Sequence, residues 1–163
     1  MAADPDAPLP PAHHRALETV CGRLEGLELE WAVSGSVALV LQGVETTCND
    51  LDLLFTSWSV RIAESLLARE IDERVAPRRR VDIRGLLGRA QIEGISVELL
   101  GDVQNALPDG RWSDPPRIVD QRTWVPFGER DCPVVTLAAL EASYALRGRA
   151  DKVRLIREAR SGT

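Results

Sequence analysis

The sequence predicts an α+β domain in which helices pack against a sheet. Two observations carry that expectation. Apolar residues recur at three- and four-residue steps over Ala12 to Leu27 and again near the C-terminus, the period of a half-buried helix. Asp50 to Phe55 and Ile95 to Leu100 alternate instead, the period of a strand with one packed face. At 163 residues and 44% hydrophobic content, the chain is long enough for one core. The expected organisation is a flexible, proline-rich leader over residues 1–11 and a single domain over 12–163.

The elements follow in order. Leu17, Val20, Cys21, Leu24 and Leu27 form the apolar stripe of a first helix, Ala12 to Leu27. Trp31 to Val33 is a short strand leading into Ser34-Gly35-Ser36, and Val37 to Gln42 is a short buried helix stopped by Gly43. After the strand Asp50 to Phe55, Ser57 or Ser59 caps a helix running to about Glu70, with Val60, Ala63, Leu66 and Leu67 inward. Pro77-Arg78-Arg79-Arg80 reads as a turn. Val81 to Ile83, Leu86 to Ile92 and Ile95 to Leu100 read as strands, the last two joined by a tight hairpin at Glu93-Gly94. Gln104 to Pro116 is a surface loop and Thr123 to Pro126 an extended segment. Thr136 caps a helix through about Leu146, Gly148 ends it, and Asp151 opens a last helix through Ala159.

Composition removes several kinds of chemistry. Apolar runs stop well short of the ~20 residues that cross a bilayer, and the N-terminus has no basic region ahead of an apolar core, so the expected location is cytoplasmic. Cys21, Cys48 and Cys132 are scattered, which fits reduced structural thiols and not a zinc site. His13 and His14, the only histidines, sit in the polar leader and are not expected to act in catalysis. Lys152 is the only lysine, which disfavours Schiff-base and P-loop chemistry. A net charge of -5 argues against strong general binding of nucleic acid.

The residues that carry chemistry lie between Trp31 and Phe55. Glycine at Gly35 lets a backbone approach a phosphate closely, and the Ser36 hydroxyl near a helix N-terminus can bond its oxygens. Asp50 and Asp52 are alternate residues on a strand, about 6.5 Å apart and facing one side, so both can reach a hard, oxygen-seeking cation. The spacing by itself is cheap, because Asp4-Pro5-Asp6 repeats it in the leader, where nothing orients the side chains. Glu98, on a separate strand with the right face parity, is the preferred third carboxylate. Asp82 and Asp102 compete for that role.

Gly35-Ser36, a helix, Asp50-Leu51-Asp52 on a strand and a later acidic residue together resemble the nucleotidyltransferase superfamily. That superfamily includes DNA polymerase beta, the kanamycin and lincosamide nucleotidyltransferases and AbiEii-like toxin transferases. Cys132 to Ala142 also resembles the proline, strand and helix segment that follows the core in small bacterial members. The resemblance spans about residues 15–158 and implies a polymerase beta-like fold, a mixed β-sheet with helices packed against it. It implies a catalytic and metal-holding set of Asp50, Asp52 and Glu98 for two Mg²⁺ or Mn²⁺ ions, with Glu98 also able to accept a proton, and nucleotide binding at Gly35 and Ser36. The implied reaction moves a nucleoside monophosphate from a nucleoside triphosphate such as ATP to a hydroxyl of a small-molecule, RNA or protein acceptor, releasing pyrophosphate. The small size implies an acceptor site built from loops or from a second subunit in a homodimer.

The chain departs from the superfamily pattern in three places. Val44 to Asn49 lacks the usual basic residue and contains Glu45, leaving Arg78, Arg79 or Arg80 to supply that charge. Asp151-Lys152 reverses the usual Lys-Asp order, and Glu98 stands where many members have aspartate. The alternative reading is a non-catalytic nucleotide- or partner-binding module of the same fold, as in a toxin–antitoxin pair.

Overall fold

The computed structural model describes residues 9–162. The Asp4-Pro5-Asp6 decoy and most of the expected leader lie outside the described residues. Helix α1 (Pro11–Leu24) begins earlier than expected, because proline at its first turn has no N–H to lose and a φ already suited to a helix. His13 and His14 are therefore in α1 and not in a leader, and His13 is buried. Leu9, expected to be flexible, is buried as well. Glu25 turns extended and Gly26 takes φ 77°, so the helix ends at Leu24 and leaves Leu27 45% exposed.

Strand β1 (Trp31–Ser34) runs into α2 (Gly35–Leu41), and β2 (Leu51–Phe55) into α3 (Ser57–Leu66). Thr56, not Ser57 or Ser59, is the N-cap of α3, and the helix stops at Leu66 instead of reaching Glu70. Buried Ser59 anchors this start: its hydroxyl accepts from Glu30 N–H and from Thr56 Oγ1.

The expected turn at Pro77–Arg80 is instead the end of strand β3 (Ile71–Arg79). This is an edge strand in which only Val75 is buried, so it lacks the apolar alternation that announces a strand. Proline is tolerated there because an edge leaves N–H groups unpaired. The chain turns just after it, and Val81, expected in a strand, is 97% exposed. Strands β4 (Ile83–Ile92) and β5 (Ile95–Asn105) form the expected hairpin, with Glu93 at φ 55° and Gly94 at φ 75°. Two successive positive values are the backbone of a type I′ turn, which matches strand twist.

The short helix α4 (Ile118–Gln121), strands β6 (Arg122–Phe127) and β7 (Arg130–Val135), α5 (Leu137–Leu146) and α6 (Ala150–Ser161) complete the chain. Thr136 caps α5 as expected, its hydroxyl accepting from Ala139 N–H at 3.2 Å. The seven strands form one sheet in the order β3-β4-β5-β2-β1-β7-β6. Its β2–β5 and β1–β7 pairs are parallel and the others antiparallel, which is the mixed sheet expected. Among the described residues no helix is long and apolar enough to cross a membrane.

Leu51, Leu53, Phe55, Val97 and Leu99 are fully buried in one cluster with Leu17 and Val20 of α1 and Val60 and Ala63 of α3. Burying each Leu, Val or Phe side chain of this set contributes ~1.5–3 kcal/mol. The register is fixed by that face, because a one-residue slip of either strand would drive Asp52 or Glu98 into the core. A smaller cluster of Leu87, Leu100 and Val103, with Leu54 and Ile83 against it, makes the apolar floor of the opposite face.

Cys21 of α1 and Cys132 of β7 are buried free thiols and Cys48 is partly buried, in keeping with structural cysteines. Asp102, a competitor for the third carboxylate, serves α3 instead. Its Oδ2 accepts from Ser57 N–H at 3.2 Å, filling one of the helix's unpaired donors. Asp102→Ala should therefore destabilise the protein by ~1–2 kcal/mol in urea unfolding, since it removes a cap and leaves alanine at a positive φ of 45°. Asp102→Asn, which can still accept and tolerates that φ, should retain most of the stability.

Candidate active site

Three neighbouring strands set the site. Asp52 in β2 is the register partner of Ser34 in β1 and of Glu98 in β5, so the three residues stand in a row across the sheet. Asp50 lies just before β2 and is exposed. Ser34, Gly35, Asp50, Asp52 and Glu98 all line one cavity of about 750 Å³. Its other walls come from the loop 106–117, through Trp112 and Asp114, and from α5 and its C-cap, through Tyr144 and Arg147.

The turn at Gly35 is dictated by sterics. Its φ is 65°, and a Cβ there would lie 2.5 Å from Asp52 Oδ2, far inside contact distance. Glycine thus permits both the left-handed turn and the aspartate beside it. Ser36 Oγ accepts from Asn49 N–H at 3.3 Å, and Nε2 of His13 donates to Asn49 O. The residue before Asp50 is therefore tied at both ends, one tie coming from α1.

Negative charge in the row is poorly compensated. The Asp52 carboxyl is pushed up to about 7, first by burial and then by Asp50 and Glu98, with Arg147 pulling weakly the other way. Burial also raises the Glu98 carboxyl, opposed chiefly by Arg80. Arg80 Nη1 stands 3.5 Å from Glu98 Oε2, and that oxygen is buried with no hydrogen-bond partner. Among the described residues no three histidine, cysteine or carboxylate side chains are already gathered closely enough to hold a cation.

The structure thus brings Asp50, Asp52, Glu98 and Gly35 to one cavity. Ser36 stands next to its wall, and Asp82, exposed in the turn before β4, lies on its rim. Sequence reasoning did not foresee Ser34, His13 or the α5 pair, in which the Arg147 guanidinium lies 5.1 Å over the Tyr144 ring. It also missed Trp112, whose ring has the guanidinium groups of Arg79 and Arg84 5.3 and 4.6 Å from its centre. A lone tryptophan in the polar stretch Gln104 to Pro116 was the signal for the last of these.

The sequence profile of the aminoglycoside-2''-adenylyltransferase family matches residues 16–158, nearly the whole chain. The chain belongs to that family. It is a nucleotidyltransferase with the superfamily's fold. A Thermotoga maritima protein assigned as a nucleotidyltransferase, solved at 1.87 Å, is 26% identical with a TM-score of 0.80, covering 96% of this chain and 97% of its own. ANT(2'')-Ia in complex with adenylyl-2''-tobramycin shares the fold at 13% identity and TM-score 0.58, covering 88% of this chain and 87% of its own. The lincosamide antibiotic adenylyltransferase LnuA, bound to lincomycin, does so at 10% identity and TM-score 0.55, covering 88% and 96%. No curated protein matches the sequence.

Two tests follow from this geometry. Asp52 keeps its proton up to about pH 7 in the fold but releases it near 3.8 when exposed, so folding takes up a proton between those values. In EDTA, this group's contribution to stability should be most favourable below pH 4 and fall as pH rises through 7, by up to ~4 kcal/mol. Asp52→Asn should remove that slope and unfold at higher temperature than the wild type at pH 8; equal pH profiles would refute the raised proton affinity of Asp52. Gly35→Ala should cost ~1–2 kcal/mol of stability through its positive φ. It should also lower transfer activity at least a hundredfold by displacing Asp52.

Proposed function

We propose that this family member transfers a nucleoside monophosphate, by its family an adenylyl group, from the triphosphate to a hydroxyl of a small-molecule acceptor. The carrying observation is the row Ser34, Asp52 and Glu98 across three adjacent strands, with Asp50 beside it on the floor of the cavity. A set of carboxylates fits Mg²⁺ or Mn²⁺, hard cations that take oxygen ligands, and Glu98 Oε2 is a buried acceptor still lacking a hydrogen bond. Asp50, Asp52 and Glu98 would hold the metal. When bound, two such ions supply positive charge where the triphosphate gains negative charge.

The protein's own groups do the rest. Gly35, lacking a side chain, lets the Asp52 carboxylate stand against the turn, inside the cavity that would take the triphosphate. The Ser36 hydroxyl already accepts one hydrogen bond and so has its own proton to donate to a leaving phosphate oxygen. Arg147 on the facing wall adds charge complementary to the phosphates. As the acceptor oxygen bonds to the α-phosphorus and the bond to pyrophosphate breaks, the hydroxyl proton passes to Glu98, whose raised affinity for protons suits it as a base.

A small acceptor is favoured over RNA by the net charge of -5 and by the enclosing loop 106–117, with the Trp112 ring as a flat wall. The related structures hold adenylyl-2''-tobramycin and lincomycin, so hydroxyl-rich antibiotics are the first acceptors to try.

The test incubates the protein with each α-³²P triphosphate and Mg²⁺ or Mn²⁺ against aminoglycosides, lincosamides and a cell extract, followed by separation of labelled small molecules, RNA and protein. Label should move to a small molecule. Asp50→Ala and Asp52→Ala should each lower transfer at least a thousandfold with far-UV circular dichroism unchanged. Full labelling by both variants would refute the site, and label on RNA or protein alone would refute the acceptor class.

A further inference from the structure

Among the described residues Arg80 has an ion pair to each of two buried carboxylate oxygens. It lies just past β3, on the cavity wall, with its guanidinium between two carboxylates: Nη1 is 3.5 Å from Glu98 Oε2 and Nη2 is 3.5 Å from Glu73 Oε2. Both oxygens are buried and without a hydrogen-bond partner. A charge-assisted N–H···O bond closes to about 2.7–2.9 Å, so Arg80 neutralises Glu98 without bonding it well. Glu73 also has Arg78, at 3.4 Å, whereas Arg80 is the ion-pair partner of Glu98 among the described residues. The Glu98 side chain is only 13% exposed, and a carboxylate so placed is costly to leave without a cation.

The rest of the cavity gives this loose pair a use. Val44 to Asn49, which leads into Asp50, contributes no positive charge. The cavity's cations are Arg80, Arg111, Arg117 and Arg147, and Arg80 is the one in an ion pair with a carboxylate of the row. Its backbone is held, through Arg80 N–H to Ile83 O at 2.8 Å, while its side chain is 36% exposed and long enough to swing within the cavity. A guanidinium released from Glu98 carries a planar fork of donors that matches phosphate oxygens.

We propose that Arg80 is an exchangeable counter-ion: it neutralises Glu98 while no divalent cation is bound, yields Glu98 when one binds with the nucleoside triphosphate, and turns onto the phosphate oxygens. This rests on the assignment of Glu98 to the metal-holding set. It makes Arg80 both a competitor of the metal and a ligand of the nucleotide, so its removal acts in opposite directions on the two. A residue that only stabilises the β3–β4 turn has no such signature.

Both bindings can be measured without turnover. Mn²⁺ alone is titrated by electron paramagnetic resonance, and α,β-methylene-ATP in excess Mg²⁺ by calorimetry, on wild type, Arg80→Gln and Arg80→Lys, each checked by circular dichroism. Arg80→Gln should tighten Mn²⁺ about tenfold, or ~1.4 kcal/mol, and weaken the analogue about tenfold. Arg80→Lys should recover part of the analogue affinity. In a Glu98→Gln background, Arg80→Gln should no longer tighten Mn²⁺. If wild type binds Mn²⁺ and Asp52→Asn abolishes it, yet Arg80→Gln leaves both affinities unchanged or weakens both, the exchange is refuted while the metal site stands. If wild type binds neither probe, the metal-site reading itself fails. Should Arg80→Gln not fold, Arg80→Lys alone carries the test, and unchanged affinities in it refute the exchange.

Discussion

In the parallel pairing of β2 with β5, Asp52 stands beside Glu98, and neither can turn away because Leu51, Leu53, Val97 and Leu99 are locked into the opposite face. Like charges held this way work against the folded state, and the fold tolerates them because the driving force is on the other side of the same strands. α1 and α3 cover the apolar face, which leaves the face with the carboxylates as the floor of a cavity. The energy of the apolar face is in effect used to hold an electrostatically unfavourable row in place.

The remaining features fit around that row. β1 delivers Ser34 alongside Asp52 and then turns sharply at Gly35, where any side chain would collide with the aspartate. His13 and Ser36 together fix Asn49, so Asp50 starts from a defined backbone even though it lies outside the strand. Arg80 and Arg147 both line the cavity and temper the negative charge, one through an ion pair with Glu98 and the other at longer range on Asp52. Partial neutralisation of this kind leaves Glu98 Oε2 buried without a hydrogen-bond partner.

Much of this was legible in the chain because it is local. The I′ hairpin needs only Glu93-Gly94, the α5 cap only Thr136 and its helix, and the β2 face only its own alternation. The errors have physical reasons too. The end of β3 at Pro77–Arg79 reads as a turn in the sequence because an exposed edge strand is charged on both faces and here contains proline. His13 and His14 read as leader residues because polar residues at a helix start do not reveal that one of them is buried against a loop 36 residues away.

Local pattern alone is enough to pick out a glycine at a turn beside an acid, two aspartates in alternation, and a glutamate of matching face parity on a later strand. Which of these residues meet depends on how distant strands pair. Glu98 pairs with Asp52 because β5 packs parallel to β2, whereas Asp102, four residues further on, caps α3, and Asp82 stays on an exposed turn. Arg80 reaches Glu98 because the β3–β4–β5 meander brings its turn back over the site. Strand order and register arise from burial summed over distant segments, and no local pattern contains that sum.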